Sequence, residues 1–169
     1  MKWLKILIYK FKKNSWVPIN MLNIDLVLNK GFKTLSNSSI KTPKLDAQIL
    51  LSHVLKKNLK EIILNCKIKP NETEMKRYKE LIQRRKSGEP IAYIVKKKEF
   101  WKYNFYVDQN VLIPRPDTEV IIEETLKLIN VNQNKLILDI GTGSGCIILS
   151  LIKERPKLRG NAIDESKNA

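Results

Sequence analysis

The sequence predicts an α/β protein in three parts: a helical bundle, a β-hairpin linker and the opening of a doubly wound parallel sheet. Apolar residues recur at helical spacing as far as residue 88, where β-branched and aromatic runs replace that period. Residues 135–164 then read as strand, glycine-rich loop, helix and second strand, the order that starts a doubly wound sheet. The 169 residues suffice for a small domain and part of a second one.

The first 20 residues differ in composition from the rest of the chain. They contain five lysines and no acidic residue, mixed with apolar side chains that form no clean helical face. The segment lacks the apolar stretch and the small-residue cleavage site of a signal peptide. We interpret residues 1–20 as a basic, non-native extension before Met21, and a membrane-surface segment is the alternative.

Residues 21–89 predict a bundle of short helices joined by short loops. Thr42 and Pro43 suit the N-cap and the first position of one helix. Gly88 follows a basic last turn, as at many helix C-termini. Two asparagines precede a glutamate by three residues, the spacing of a reciprocal cap at a helix start: Asn58–Glu61 and Asn71–Glu74.

Residues 90–113 predict a β-hairpin linker. The runs "IAYIV", "EFWKYNFYV" and "VLIP" are β-branched and aromatic, and polar breaks separate them. We therefore expect a hairpin or a short meander.

Residues 114–169 predict the start of the sheet domain. Pro116 opens a helix, followed by strand "KLILDI", the glycine loop, helix "CIILSLIKER" and a short strand "NAID". Because parallel strands are normally covered on both faces, two strands alone should leave the region after about Asn134 loose and aggregation-prone. The apolar side chains expected to lack partners are Leu136, Ile137, Leu138, Ile147, Ile148, Leu151 and Ile163.

The net charge of +15 comes from 26 lysines and only 6 arginines. Because base and phosphate recognition favours arginine, we interpret the charge as solvated surface and predict no direct sequence-specific nucleic acid partner. No apolar stretch reaches the length of a membrane span. Cys66 and Cys146 have no metal-ligand spacing, and His53 is expected as a packed or half-exposed side chain, so no metal is predicted.

The glycine loop narrows the class of ligand. Its glycines follow G-x-G-x-G, whereas dinucleotide-binding loops use G-x-G-x-x-G and phosphate loops end in G-K-[ST]. Asp139 ends the strand before the loop, where it would repel a pyrophosphate but attract the sulfonium and ammonium of S-adenosylmethionine. Asp164 ends the next strand, where a carboxylate accepts the two ribose hydroxyls. The alternative is a purely structural strand-to-helix turn.

The segments "IPRPDTE" and "ILDIGTGSGCIILSL" closely resemble the release factor glutamine N5-methyltransferase family, PrmC/HemK. The resemblance extends through "PKLDAQILL", "RRKSGEPIAYI" and "EFW". It implies a Rossmann-like methyltransferase domain, S-adenosyl-L-methionine as cofactor, and cytoplasmic methylation of a glutamine in peptide chain release factors, docked in part by the N-terminal bundle. The implied cofactor-binding residues are Gly141, Thr142, Gly143, Ser144, Gly145 and Asp164. The implied pocket residues are Asp139, Arg115 and Phe100.

Two departures from the family pattern stand out. A glycine usual before "EFW" is replaced within residues 96–98, so we expect a different turn there. The family's Asn-Pro-Pro-Tyr motif, which holds the substrate amide, does not occur, so the sequence resembles only the N-terminal part of such an enzyme. We therefore assign no catalytic residue and expect this chain to be inactive alone. The alternatives are a ribosomal protein glutamine methyltransferase, a non-catalytic binding remnant, and an oxidoreductase, against which the glycine spacing argues.

Overall fold

The computed structural model describes residues 23–64 and 68–169. The described chain mixes helices with two small sheets, as predicted, whereas the interpretation of residues 1–20 lies outside the described residues. The chain divides into two compact units, and the division lies between Ile82 and Gln83, inside a helix. The predicted domain boundaries after residues 89 and 113 stay predictions.

The first unit contains three helices and most of a fourth, and it encloses its own apolar core. Reciprocal caps start two of these helices as predicted: Asn71 N–H donates to Glu74 Oε2 at 2.7 Å, and Glu74 N–H donates to Asn71 Oδ1 at 2.9 Å. The Asn58–Glu61 pair makes the same two bonds, at 3.0 and 2.8 Å. The helices are α1 (Ile24–Ser36), α2 (Pro43–Leu55), α3 (Leu59–Leu64) and α4 (Glu72–Lys86). The largest fully buried side chains of this unit are Ile24, Leu35, Leu50, Leu51, Ile62, Tyr78 and Ile82.

The second unit alternates short helices and strands. Its elements are α5 (Ile91–Val95), β1 (Lys98–Phe100), β2 (Tyr103–Phe105), a 3₁₀ helix (Pro116–Thr118), α6 (Glu119–Leu128), β3 (Leu136–Ile140), α7 (Cys146–Glu154) and β4 (Arg159–Ile163). Its core joins the hairpin, α6 and α7 through Phe100, Phe105, Ile122, Cys146, Leu151 and Leu158. Arg155 links the ends of α6 and α7, because its guanidinium donates to the carbonyls of Leu126 and Ile129.

The linker contains less β-structure than predicted. "IAYIV" is the helix α5, not a strand, and the strands β1 and β2 form an antiparallel hairpin confined to residues 98–105. The burial of Ala92 and Ile94 alternates like that of a strand, and five residues are too few to separate the two periods. "VLIP" is not a strand either, since Pro114 has no N–H to give to a ladder. Lys96 ends α5 with a φ of 54°, the left-handed region that favours glycine.

β3 and β4 are parallel, with α7 between them in sequence, and Asp139 is paired with Ala162 in register. One face of this pair packs on the core through Ile137. The other face is uncovered, and Leu136, Leu138 and Ile163 are 68, 55 and 52 % exposed, as expected for side chains without partners. The expectation was wrong for Ile148 and Leu151, which are buried on α7, and for Ile137 and Ile147, which are partly buried against the core of the second unit.

Candidate cofactor site

The glycine loop lies at the carboxyl ends of β3 and β4 and connects β3 to α7. Gly141, Gly143 and Gly145 have φ angles of 75°, 53° and 71°, respectively, a region that residues with side chains rarely adopt. Gly145 is the N-cap of α7. These three left-handed positions let the chain leave the strand and enter the helix within five residues, which explains the alternate spacing of the glycines.

The backbone donors of the loop are largely used within the protein. Gly141 and Thr142 N–H donate to the carbonyl of Ile163 at 2.8 and 3.1 Å, and Gly145 N–H donates to the carbonyl of Thr142 at 2.9 Å. Gly143 N–H donates to a carboxylate oxygen of Asp164 at 2.8 Å. A loop built to bind a pyrophosphate presents such N–H groups to the ligand. This arrangement therefore favours a ligand that is not anionic at the loop.

The carboxylate of Asp139 contacts the loop at Thr142. Its Oδ2 accepts a hydrogen bond of 2.8 Å from the Thr142 hydroxyl, which fixes the orientation of both side chains. The neighbouring Cys146 thiol is buried at the start of α7. Burial raises the pKa of this thiol, and the Asp139 charge acts in the same direction, which disfavours the nucleophilic thiolate form.

Asp164 follows β4 immediately and bridges two backbone segments. Its Oδ2 accepts from Gly143 N–H at 2.8 Å, and its Oδ1 accepts from Ser166 N–H at 2.9 Å. These two hydrogen bonds lower the pKa of the exposed Asp164 carboxyl below its usual range, because they stabilise the ionised form. Each oxygen keeps a lone pair for an external donor such as a ribose hydroxyl.

A cavity of about 570 Å³ adjoins the loop in the second unit. Thr142, Gly143, Ser144 and Gly145 form one side of it, and β2 with the residue that follows forms another through Tyr103, Asn104, Phe105 and Tyr106. Lys153, two turns along α7 from the loop, lies farther along the same cavity. Nothing in the sequence indicated that the β2 residues and Lys153 line a cavity, since the local pattern does not tell which element faces the loop.

Asp139, Gly141 and Asp164 are not among the residues that line this cavity. The candidate pocket residues Phe100 and Arg115 do not line it either. Phe100 is 1 % exposed and packs edge-to-face on Phe105, with ring centroids 6.2 Å apart. It supports a cavity-lining residue but is itself a core residue, so the structure does not bring it to the cavity surface. Arg115 is exposed and precedes the 3₁₀ helix, whose Thr118 N–H donates to the Arg115 carbonyl at 3.1 Å.

Two further features are absent from residues 23–64 and 68–169, a metal site and a membrane-spanning helix. No three histidine, cysteine, aspartate or glutamate side chains in these ranges lie close enough together to hold a metal ion. In the same ranges, no helix has the length and the apolar character that crossing a bilayer requires. His53 is half-buried, and burial together with the charge of Arg77 lowers its pKa.

Comparison with known proteins agrees with the motif resemblance. Residues 27–95 match the family model described as the PrmC N-terminal domain. The chain is 43 % identical over 129 residues to the release factor glutamine methyltransferase of Coxiella burnetii, covering 76 % of this chain and 47 % of that protein. It is 46 % identical over 130 residues to the protein of that name from Buchnera aphidicola subsp. Schizaphis graminum, covering 77 % and 46 %. The chain thus spans about half the length of these curated relatives.

Proposed function

We propose that this chain, a relative of the release factor glutamine methyltransferases that carries a PrmC N-terminal domain, is part of an S-adenosylmethionine-dependent methyltransferase. The target is the N5 atom of a glutamine side chain in peptide chain release factors. The observation that carries this proposal is the loop of three left-handed glycines between two strand-end carboxylates, Asp139 and Asp164. By the same proposal, β3, α7 and β4 open a Rossmann-like methyltransferase domain.

The residues at the loop match the chemistry of the cofactor. S-adenosylmethionine supplies a methyl group on a positively charged sulfonium, and its methionyl ammonium is positive as well. The Asp139 carboxylate lowers the electrostatic energy of such charges near the loop. Asp164, held by Gly143 and Ser166, presents an oriented carboxylate to the two ribose hydroxyls. The glycine backbone lets a ligand approach closely, because no Cβ stands in the way at Gly141 or Gly143.

The substrate amide sets the second requirement. An amide nitrogen is a poor nucleophile because its lone pair is delocalised into the carbonyl. Catalysis therefore depends on hydrogen-bond acceptors that hold the –NH₂ group in line with the methyl group, and on excluded water. The Asn-Pro-Pro-Tyr motif that serves this purpose in the family does not occur in the 169 residues, so we assign no catalytic residue within them.

The proposal extends to the partner of the N-terminal domain. The first unit encloses its own core, and we propose that it contributes to docking of the release factor. Release factors act on ribosomes, so the proposed place of the reaction is the cytoplasm. Arg115 and the segment around it remain candidate neighbours of the reacting glutamine.

Calorimetric titration with S-adenosylmethionine tests the cofactor half. We expect the 169-residue chain to bind it, and Asp164→Ala to weaken binding at least tenfold, since hydrogen bonds to charged groups contribute about 1.5–3 kcal/mol each. Glu165→Ala, which removes the adjacent carboxylate, is the matched control and should bind as the unsubstituted chain does. Tighter binding of a nicotinamide dinucleotide than of S-adenosylmethionine would contradict the proposal.

Methyl transfer tests the substrate half. We expect the 169-residue chain to transfer no label from S-adenosylmethionine to a purified release factor, because it lacks the residues that hold the amide. A longer form of the protein that includes the motif should label the release factor glutamine. Labelling of a ribosomal protein in preference to a release factor would favour the sister activity.

A further inference from the structure

Trp101, at the turn of the β1–β2 hairpin, is held in an unfavourable conformation. Its φ is 56°, in the left-handed region where a residue with a Cβ is strained. Its backbone N–H donates to Glu119 Oε1 at 2.7 Å, at the start of α6. Such strain persists only where surrounding contacts fix the residue.

Glu154 supplies those contacts from the last residue of α7. Its Oε1 accepts a hydrogen bond from the Trp101 indole N–H at 2.9 Å and one from the Tyr103 hydroxyl at 3.2 Å. Lys102 Nζ, also in the turn, lies 2.9 Å from the same oxygen. One carboxylate oxygen therefore contacts three consecutive residues of the hairpin.

Glu154 is the last residue of α7, a position where a carboxylate does not stabilise the helix itself. A negative charge at the C-terminal end of a helix is unfavourable, because the helix dipole is negative there. A neutral or basic residue at this position would stabilise α7 more than a glutamate does. The hairpin contacts of Glu154 offset this cost.

The hairpin that Glu154 holds is one wall of the cavity beside the glycine loop. Tyr103, Asn104 and Phe105 of β2 line the cavity, and so do Gly143 and Gly145 of the loop. Glu154 and the loop lie at opposite ends of α7. Tyr103, which donates to Glu154, is itself a cavity residue. The Glu154 contacts are therefore made at the strand that faces the loop across the cavity.

We propose that Glu154 is a positioning residue that holds the β1–β2 hairpin across the cavity from the glycine loop and thereby sets the shape of the cofactor site. This inference rests on the proposed function only in naming the ligand. The Trp101 indole N–H reports the state of the hairpin without any ligand.

The test compares Glu154→Ala, Glu154→Gln and Glu124→Gln in the 169-residue chain, with Trp3 and Trp16 replaced by phenylalanine so that Trp101 is the only tryptophan. NMR follows hydrogen exchange of the Trp101 indole N–H. We expect Glu154→Ala to speed exchange by about tenfold or more, because a charge-assisted bond is lost. Glu154→Gln keeps a neutral acceptor and should restore part of the protection.

Glu124→Gln is the matched control, because Glu124 pairs with Lys127 on the exposed side of α6, with Nζ and Oε1 2.6 Å apart. It should leave indole exchange unchanged. Equal exchange in Glu154→Ala and the unsubstituted chain would overturn the proposal. So would loss of protection in Glu124→Gln to the same extent, which would indicate a general loosening.

Cofactor titration of the same proteins separates the inference from the proposed function. If Glu154 shapes the site, Glu154→Ala should bind S-adenosylmethionine several-fold more weakly, with Glu154→Gln intermediate and Glu124→Gln unchanged. Unaltered binding in Glu154→Ala together with faster indole exchange would show that Glu154 holds the hairpin but does not shape the cofactor site, which would overturn that part of the proposal. If the unsubstituted chain binds no S-adenosylmethionine while its indole is protected, the proposed function fails and the positioning of the hairpin stands.

Discussion

At the scale of single residues, Gly31 in α1 leaves the space that Tyr78 of α4 fills. A Cβ at residue 31 would lie 2.1 Å from the Tyr78 hydroxyl oxygen and 3.2 Å from Ile82 Cδ1. That hydroxyl is buried and donates to the carbonyl of Ala47 at 3.2 Å, so it is not free to move away. The three helices α1, α2 and α4 therefore meet at a position where no other residue fits without rearrangement.

We expect Gly31→Ala to lower the free energy of unfolding by about 1–3 kcal/mol, because overpacking outweighs the gain in helix propensity. Urea unfolding measures the change. The loss should shrink in a Tyr78→Phe background, where the closest overlapping atom is gone. Asn29→Ala, on the exposed side of α1, is the control and should be neutral or stabilising. A neutral Gly31→Ala would show that Tyr78 relaxes without cost.

Asp164 makes the loop sensitive to acid. Its folded-state pKa lies below the usual 3.8, so the hydrogen bonds to Gly143 and Ser166 are present above that value and are lost as the pH falls through the lowered pKa. NMR titration should show the amide signals of Gly143 and Ser166 moving together with one midpoint below pH 3.8. In Asp164→Asn this common transition should vanish. Separate midpoints for the two amides would mean that Asp164 does not bridge them.

At the scale of elements, the reciprocal cap at Asn71 starts α4. Asn71→Ala leaves the N–H of Glu74 without its side-chain acceptor, and we expect a loss of about 1 kcal/mol in the free energy of unfolding. Asn71→Asp keeps an acceptor and adds a charge favourable to the helix dipole, so it should cost little or nothing. Urea unfolding of the three proteins measures both effects. An equal loss in both variants would assign the effect to something other than the cap.

The end of α5 offers a stabilising substitution. Lys96 has a φ of 54°, a conformation that is unfavourable for a residue with a Cβ. Lys96→Gly should therefore raise the free energy of unfolding by about 1 kcal/mol. Lys97→Gly, next to it and without a positive φ, should lower it. Thermal unfolding of both variants checks the sign, and a destabilised Lys96→Gly would mean that the contact of Lys96 with the Tyr106 ring outweighs the strain.

At the scale of the whole molecule, we expect the uncovered apolar face of the β3–β4 pair to promote aggregation. Leu138 is 55 % exposed on this face, whereas Ile137 packs on the core from the opposite face. Leu138→Thr should reduce aggregation of the 169-residue chain and change the free energy of unfolding by less than about 0.5 kcal/mol. Ile137→Thr should cost about 1–3 kcal/mol. Light scattering and urea unfolding test both, and equal destabilisation would mean that both faces are packed in solution.

The two units also differ in how completely they bury their apolar side chains. In the first unit, each of the helices α1 to α4 contributes buried residues, so we expect slow hydrogen exchange in this unit. In the second unit, α7 buries Ile148 and Leu151 despite the exposed sheet face. The region after Asn134 therefore has more packing than two isolated strands would give, which the sequence did not indicate.

The sequence alone determined the features that depend on a few neighbouring residues. Both asparagine–glutamate caps form as predicted, Pro43 starts α2, and Gly88, with a φ of 99°, follows the end of α4. The glycine loop follows β3, which contains Asp139, and Asp164 comes directly after β4, close to where the motif spacing placed both. Caps, turns and loop motifs are readable because residues no more than a few positions apart satisfy each other's backbone groups.

Only the tertiary structure decided which surfaces meet. It made "IAYIV" a helix, placed Phe100 in the core, and faced β2 toward the glycine loop to form the cavity. The Trp101–Glu154 hydrogen bond joins residues 53 positions apart. Such contacts depend on how complete elements pack, and no local periodicity carries that information, so the shape of the cavity beside the glycine loop was decided by packing.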